Sequence, residues 1–182
     1  MADTLVQIKE VHGDVNNAEP PESKVDSIIN DVISEISQAR VTVNIKDRTF
    51  PSKVDSKIKH NQLKRNRSIV LQYKSYSSHI ESAYSTVEKH VVNGKQTALL
   101  ILNEMYATAL AKFNIDVWEP DMAVIQQHAD EIIDDVKTQL TKFLYKSANI
   151  TFTKEQLAVG VNVVLAHAFV ECYVLENPND TD

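Results

Sequence analysis

Apolar residues recur at three- and four-residue spacing through most of the chain, and that period predicts helices. The last stretch is the most apolar. From Thr153 to Glu176, Leu157, Val161, Val164, Leu165, Ala168, Phe169, Cys172 and Leu175 mark one helical face, while Ala158, Val159, Val163, Ala166, Val170, Tyr173 and Val174 fill the other. A helix apolar nearly all round must be covered on most sides. The pattern therefore predicts a central helix, opened by a Thr153/Gln156 capping box and stopped at Asn177-Pro178.

Upstream segments supply the cover. Val25, Ile28, Ile29, Val32, Ile33 and Ile36 form a stripe that predicts a first helix over 23–39, with Ser23 as its cap and Asp26 three residues on. Val41 to Ile45 is a short strand or an extended connection. Pro51 to Asp55 reads as another helix start. Ile69, Tyr73, Tyr76, Ile80, Tyr84, Val87 and Val91 then predict a long helix ending at Asn93-Gly94, glycine being the usual residue just past a helix end. Stripes through Leu99 to Phe113 and through Ile125 to Leu144 predict helices over 95–113 and 121–146, separated by a turn at 116–120. Before all of these, residues 3–15 alternate loosely, which suggests a short β-like arm, and the Asn16 to Pro21 run reads as a linker.

The expected fold class is thus all-α: a bundle of about five or six helices around an apolar C-terminal helix, with a β-like N-terminal arm. The expected division is 1–21 for the arm and linker, 22–50 for the first helix and its connection, and 51–178 for the helical domain. Whether the surrounding helices wrap every face of 157–175 is open, and any face left over is where a partner is expected to pack.

Composition narrows the chemistry. With 182 residues and 43% apolar content, one domain with a real core is expected. Only Gly13, Gly94 and Gly160 are glycine, which leaves no glycine-rich loop to cradle a phosphate. A net charge of −6 argues against nucleic-acid binding by the whole protein, though not by a local patch. The single Cys172 falls inside the predicted apolar helix and is expected to be a small core residue. No signal peptide is evident at the N-terminus, and the charge-free run Gln156 to Val170 is too short to span a membrane. These features suggest a cytoplasmic protein.

Candidate catalytic groups are few. None of His12, His60, His79, His90, His128 and His167 sits in a recognised metal motif, and no cofactor is expected. His60, among lysines, reads as exposed; His167 reads as a core histidine bonded to a backbone carbonyl or a buried tyrosine. Arg40, Arg48, Arg65 and Arg67 lack the histidine about six residues on that a helical RNase would need. Asp130/Asp134 and Glu131/Asp135 are i,i+4 carboxylate pairs, but a restriction-type nuclease needs its carboxylates on adjacent strands, and these lie on a periodic helix. They read as a solvated or partner-facing surface. No enzymatic activity is expected.

Residues 53–67 carry Lys53, Lys57, Lys59, Lys64, Arg65 and Arg67 against the single acid Asp55. Such a cluster meets phosphates, or it meets carboxylates, either those of 130–135 or those of a partner. No aromatic residue interleaves it before Tyr73, which favours a protein contact over single-strand binding.

Four stretches in order, PSKVDSKIKHNQL from Pro51, YKSYSSHIESAY from Tyr73, QHADEII from Gln127 and AFVECYVLENP from Ala168, together resemble the C-terminal domain of bacterial ABC-three-component systems. The resemblance covers roughly residues 51–178. It implies a small helical module that couples an effector to an SMC-like ABC ATPase in defence against phage and other foreign DNA. The Ile8 to Val15 stretch is similar to the short arm that precedes such domains. Ala166-His167 and Glu171 depart from the acidic and basic residues expected on the last helix. With no effector domain in these 182 residues, the resemblance implies a stand-alone coupling subunit.

The reading that combines these observations is a non-enzymatic interaction subunit. Its expected contact residues are Ile8, Val11 and His12 in the arm, and Lys57, Lys59, His60, Asn61, Lys64 and Arg65 in the basic segment. The expected partners are the SMC-like ATPase, the effector, or both, with self-association open. The alternative is a small nucleic-acid-binding accessory using the same basic segment.

Overall fold

The computed structural model describes residues 24–41 and 49–178. Six helices run through them: α1 (Ile28–Gln38), α2 (Ser52–His60), α3 (Arg67–Val87), α4 (Gly94–Lys112), α5 (Met122–Tyr145) and α6 (Lys154–Val170). Among the described residues there is no strand, and no helix is long and apolar enough to cross a membrane. The expected β-like arm, and most of the Val41 to Ile45 stretch, lie outside the described residues.

α6 is the centre of the bundle, as its two-sided apolar pattern requires. Seven consecutive residues, Val163 to Phe169, are buried, because α3, α1, α5 and α4 all pack against the helix. Against α1 the approach is tight at Gly160. A Cβ on Gly160 would lie 2.5 Å from Cγ2 and 2.9 Å from Cγ1 of Ile33, so only glycine lets the two helices meet there. The capping box at the start of α6 is present: the Gln156 amide donates to the Thr153 hydroxyl, and the Thr153 amide donates to the Gln156 side chain at 2.8 Å.

α6 is shorter than its hydrophobic pattern. The expected helix to Glu176 stops at Val170, where the Tyr173 amide bonds the Ala168 carbonyl and Cys172 takes a left-handed φ of 65°. The chain then folds back, burying Val174 and Leu175. Apolar residues continue past the helix because the turn-back is buried, which periodicity cannot distinguish from more helix. Cys172 is consequently an exposed free thiol and not a core residue.

Left-handed residues end other helices as well. Gln62 (φ 52°) follows α2 and Asn114 (φ 56°) follows α4. In each case the next residue, Leu63 or Ile115, donates its amide five residues back, to Ile58 or Leu110, and buries its side chain. This is the glycine-type helix stop made without glycine. It explains how a chain with three glycines turns so often. Gly94, expected just past the end of α3, is instead the first residue of α4, and Asn93 takes the left-handed conformation at φ 59°.

α1 begins later than expected. Ser23 lies outside the described residues, and residues 24–27 precede the helix. The Asn149 side chain holds this approach: its Oδ1 accepts from the Ser27 amide at 2.9 Å, and its Nδ2 donates to Ser27 O at 2.9 Å and to Asp31 Oδ1 at 2.7 Å. The start of α1 is set by a residue more than a hundred positions away, so a local capping rule cannot find it.

Candidate functional site

Two features lie at the end of the bundle where α2, α3 and the C-terminal turn-back meet. The first is the basic segment. Part of it is turned inward, while Lys53, Lys59, Lys64, Arg65 and Arg67 stay exposed. Lys57 is 4% exposed; its Nζ donates to the Phe169 carbonyl at 2.8 Å and stands 4.8 Å over the Phe169 ring. Asn61 is fully buried. Its side chain donates to Lys57 O and Glu176 O, at 2.9 and 2.8 Å, and accepts from the Glu176 amide at 3.0 Å. Both residues tie α2 to the end of α6 and the turn-back. They are internal struts and not surface contacts, which corrects their expected role.

Arg65 meets the acidic face of α5 through its charge, one of the outcomes left open by the sequence, and Lys64 does so through its backbone amide alone. The Asp130 carboxylate accepts from the amides of Lys64, Arg65 and Asn66 at 3.2, 3.0 and 2.8 Å. The Arg65 guanidinium pairs with Asp134, and Asn66 Nδ2 donates to Asp130 O and Asp134 Oδ1, both at 3.0 Å. Asp130 thus fixes the entry to α3, where helical amides lack internal partners. Lys59 pairs with Asp55 one turn back at 2.6 Å, on the surface. His60 is half-buried, not exposed: its carbonyl accepts from Gln126 Nε2 at 2.8 Å and its own Nε2 is buried. Ile8, Val11 and His12 lie outside the described residues.

Beside the basic segment runs a groove of about 950 Å³ between α2, α3 and the end of α6. Phe50, Val54, Val70, Tyr73, Val170 and Pro178 form its apolar wall. At this end of the central helix Val163 to Phe169 are covered, whereas Val170 is only partly buried; near its start Ala158 is exposed and Val159 and Asn162 are partly buried. The groove was not legible beforehand, because it lies where the chain leaves α6, at a helix end that periodicity placed at Glu176.

The second feature surrounds His167, whose exposure is zero. The Tyr73 hydroxyl lies 3.1 Å from Nδ1, and the rings of Tyr73 and Tyr84 pack at 5.7 and 5.3 Å from the imidazole. This bears out the expected core histidine bonded to a tyrosine. On the Nε2 side, Glu81 from α3, Lys95 from α4 and Glu171 from the turn-back converge. Lys95 Nζ contacts Glu81 at 3.0 Å and Glu171 at 3.6 Å, and Nε2 itself is 3.8 Å from Glu81 Oε1 without a hydrogen bond. Burial and the Lys95 charge lower the His167 pKa to about 4, against the pull of Glu81 and Glu171. Burial pushes the Tyr73 hydroxyl up to about 12, with Glu81 and Glu171 adding to it. Burial alone would lower the Lys95 ammonium, but its hydrogen bond to Glu81 and the charges of Glu171 and Glu81 raise it.

Comparison with known proteins adds one result. The family model of C-terminal domain 10 of the ABC-three component systems matches residues 27–176, which takes in all six helices. No curated protein and no solved structure matches the chain.

Proposed function

The chain belongs to the C-terminal domain 10 family of the ABC-three component systems, and we propose that it is a cytoplasmic, non-enzymatic docking subunit that joins an effector to an SMC-like ATPase in bacterial defence against phage. The observation that carries this reading is the apolar groove at the open end of α6. Buried apolar surface drives protein association, and this groove offers such a surface bounded by rigid helices.

The basic segment bears on the choice between a protein partner and a nucleic acid. Lys57 is buried on Phe169 and Arg65 is paired with Asp134 at the surface. Lys53, Lys59, Lys64, Arg65 and Arg67 remain exposed, so phosphate binding is the reading the experiment must separate from a protein contact. Co-expression with an SMC-like ATPase and a middle component of an ABC-three component system, followed by size-exclusion with light scattering, tests the reading. A stable complex is expected. Failure to associate, together with steeply salt-dependent DNA binding that is lost on Lys59→Glu plus Lys64→Glu, would replace it with the nucleic-acid reading.

A further inference from the structure

We propose that Glu81, His167 and Glu171 form a binding site for a zinc-type divalent cation, in competition with the Lys95 ammonium. The three side chains offer ligand atoms that all lie within 4.8 Å of one another. Carboxylates gathered on a surface would not carry this alone. The independent observation is the imidazole: His167 has no exposure, its Nε2 has no hydrogen-bond partner among the described residues, and Nε2 stands 3.8 Å from Glu81.

The other ring nitrogen is already placed as a metal-binding histidine requires. In the tautomer whose Nδ1–H donates to the Tyr73 hydroxyl oxygen, Nε2 keeps its lone pair free within reach of the two carboxylates; a ligating histidine is usually oriented by such a bond on its second nitrogen. His167 and Glu171 are one helical turn apart across the end of α6, and Glu81 approaches from α3. Tetrahedral zinc, with bonds of ~2.0–2.2 Å, holds its ligand atoms ~3.3 Å apart, so the site must contract on binding. The half-exposed Glu81 and the partly exposed Glu171 have room to move, while His167 is fixed.

Charge points the same way. Two carboxylates face a single ammonium, leaving one negative charge that a divalent ion in place of Lys95 would neutralise. A nitrogen donor beside two oxygens suits zinc, cobalt or nickel better than magnesium or calcium. Three protein ligands leave a fourth position for water. Bound there, the ion would pin the turn-back to α3 next to the wall of the groove.

Cobalt(II) titration of chelator-treated protein, read by visible absorption and followed by zinc competition, tests this. A single site per chain is expected, displaced by zinc and unaffected by excess magnesium. Glu81→Gln and Glu171→Gln, both at the surface, should each weaken binding at least ~10-fold, and Tyr73→Phe by ~10-fold through the orienting bond. His167→Gln should abolish it. Lys95→Met should strengthen it, because the competing cation is gone. Surface binding is controlled by His79→Ala with His90→Ala, which should change nothing. Absence of binding, binding that survives Glu81→Gln and Glu171→Gln, binding lost with the surface histidines, or weaker binding by Lys95→Met would each overturn the proposal.

Discussion

Protonation of His167 should be a main source of acid sensitivity in this fold. Its pKa in the folded chain is about 4, against 6.5 for the ordinary group. The fold therefore favours the neutral imidazole. Between those values the unfolded chain binds a proton that the folded chain does not, so stability rises with pH across that window. The contribution is complete above 6.5 and is lost as pH falls toward 4. Each pH unit inside the window is worth ~1.4 kcal/mol, and the fall from pH 7.5 to 4.5 amounts to ~2–3 kcal/mol. The groups facing the imidazole are Lys95, Glu81, Glu171, Tyr73 and Tyr84.

Urea unfolding with a metal chelator present, at pH values between 7.5 and 4.5, measures the effect. The comparison that isolates it is wild type against His167→Gln, which keeps a polar side chain but cannot titrate. Background titration of other carboxylates is largely common to both chains. The stability advantage of wild type should shrink by ~2–3 kcal/mol across the range. An advantage that stays constant with pH would refute the reasoning.

Other perturbations follow from the same contacts. Asp130→Ala should cost ~1–3 kcal/mol in urea unfolding, since three amides lose a charged acceptor, whereas Arg65→Ala, at an exposed pair, should cost under ~1 kcal/mol. Lys57→Met should destabilise by ~1–3 kcal/mol by removing the charged donor to the Phe169 carbonyl, which then keeps only the Cys172 amide at 3.3 Å; an unchanged midpoint would mean that the lysine is not an internal strut. Gly160→Ala should cost ~1–3 kcal/mol by overpacking against Ile33, and a double-mutant cycle should show a smaller cost in an Ile33→Ala background.

The sequence reading reached the helices more readily than the site. Stripes at 69–91, 95–113 and 121–146 correspond to α3, α4 and α5 to within a few residues, because α3 buries a face mainly against α6 and α1, and α4 and α5 chiefly against each other, and burial of a face is what periodicity records. The errors share a cause. Lys57 and Asn61 look like surface residues by type, yet their partners, Phe169 and Glu176, are more than a hundred positions away. The turn at Cys172 is made without glycine or proline. Charge alone left the basic segment's partner undecided between phosphates and carboxylates; the Arg65–Asp134 pair, and the Asp130 carboxylate on the amides of Lys64 and Arg65, became definite only once α5 lay beside the α2–α3 turn. For the buried histidine, the hint was present in the pattern: His167 interrupts an otherwise apolar helix, and Tyr73 and Tyr84 lie on the stripe that covers it.

The groove is the centre of the functional account, and its direct test is the affinity of the chain for the SMC-like ATPase and middle component measured with two surface variants. Val54→Glu plus Val170→Glu places charge on the groove wall, and Lys59→Glu plus Lys64→Glu reverses exposed charge outside it. The groove variant should lose the complex while keeping its helical content and unfolding midpoint, and the lysine variant should retain it. A groove variant that binds as wild type does, with binding lost in the lysine variant, would contradict the account.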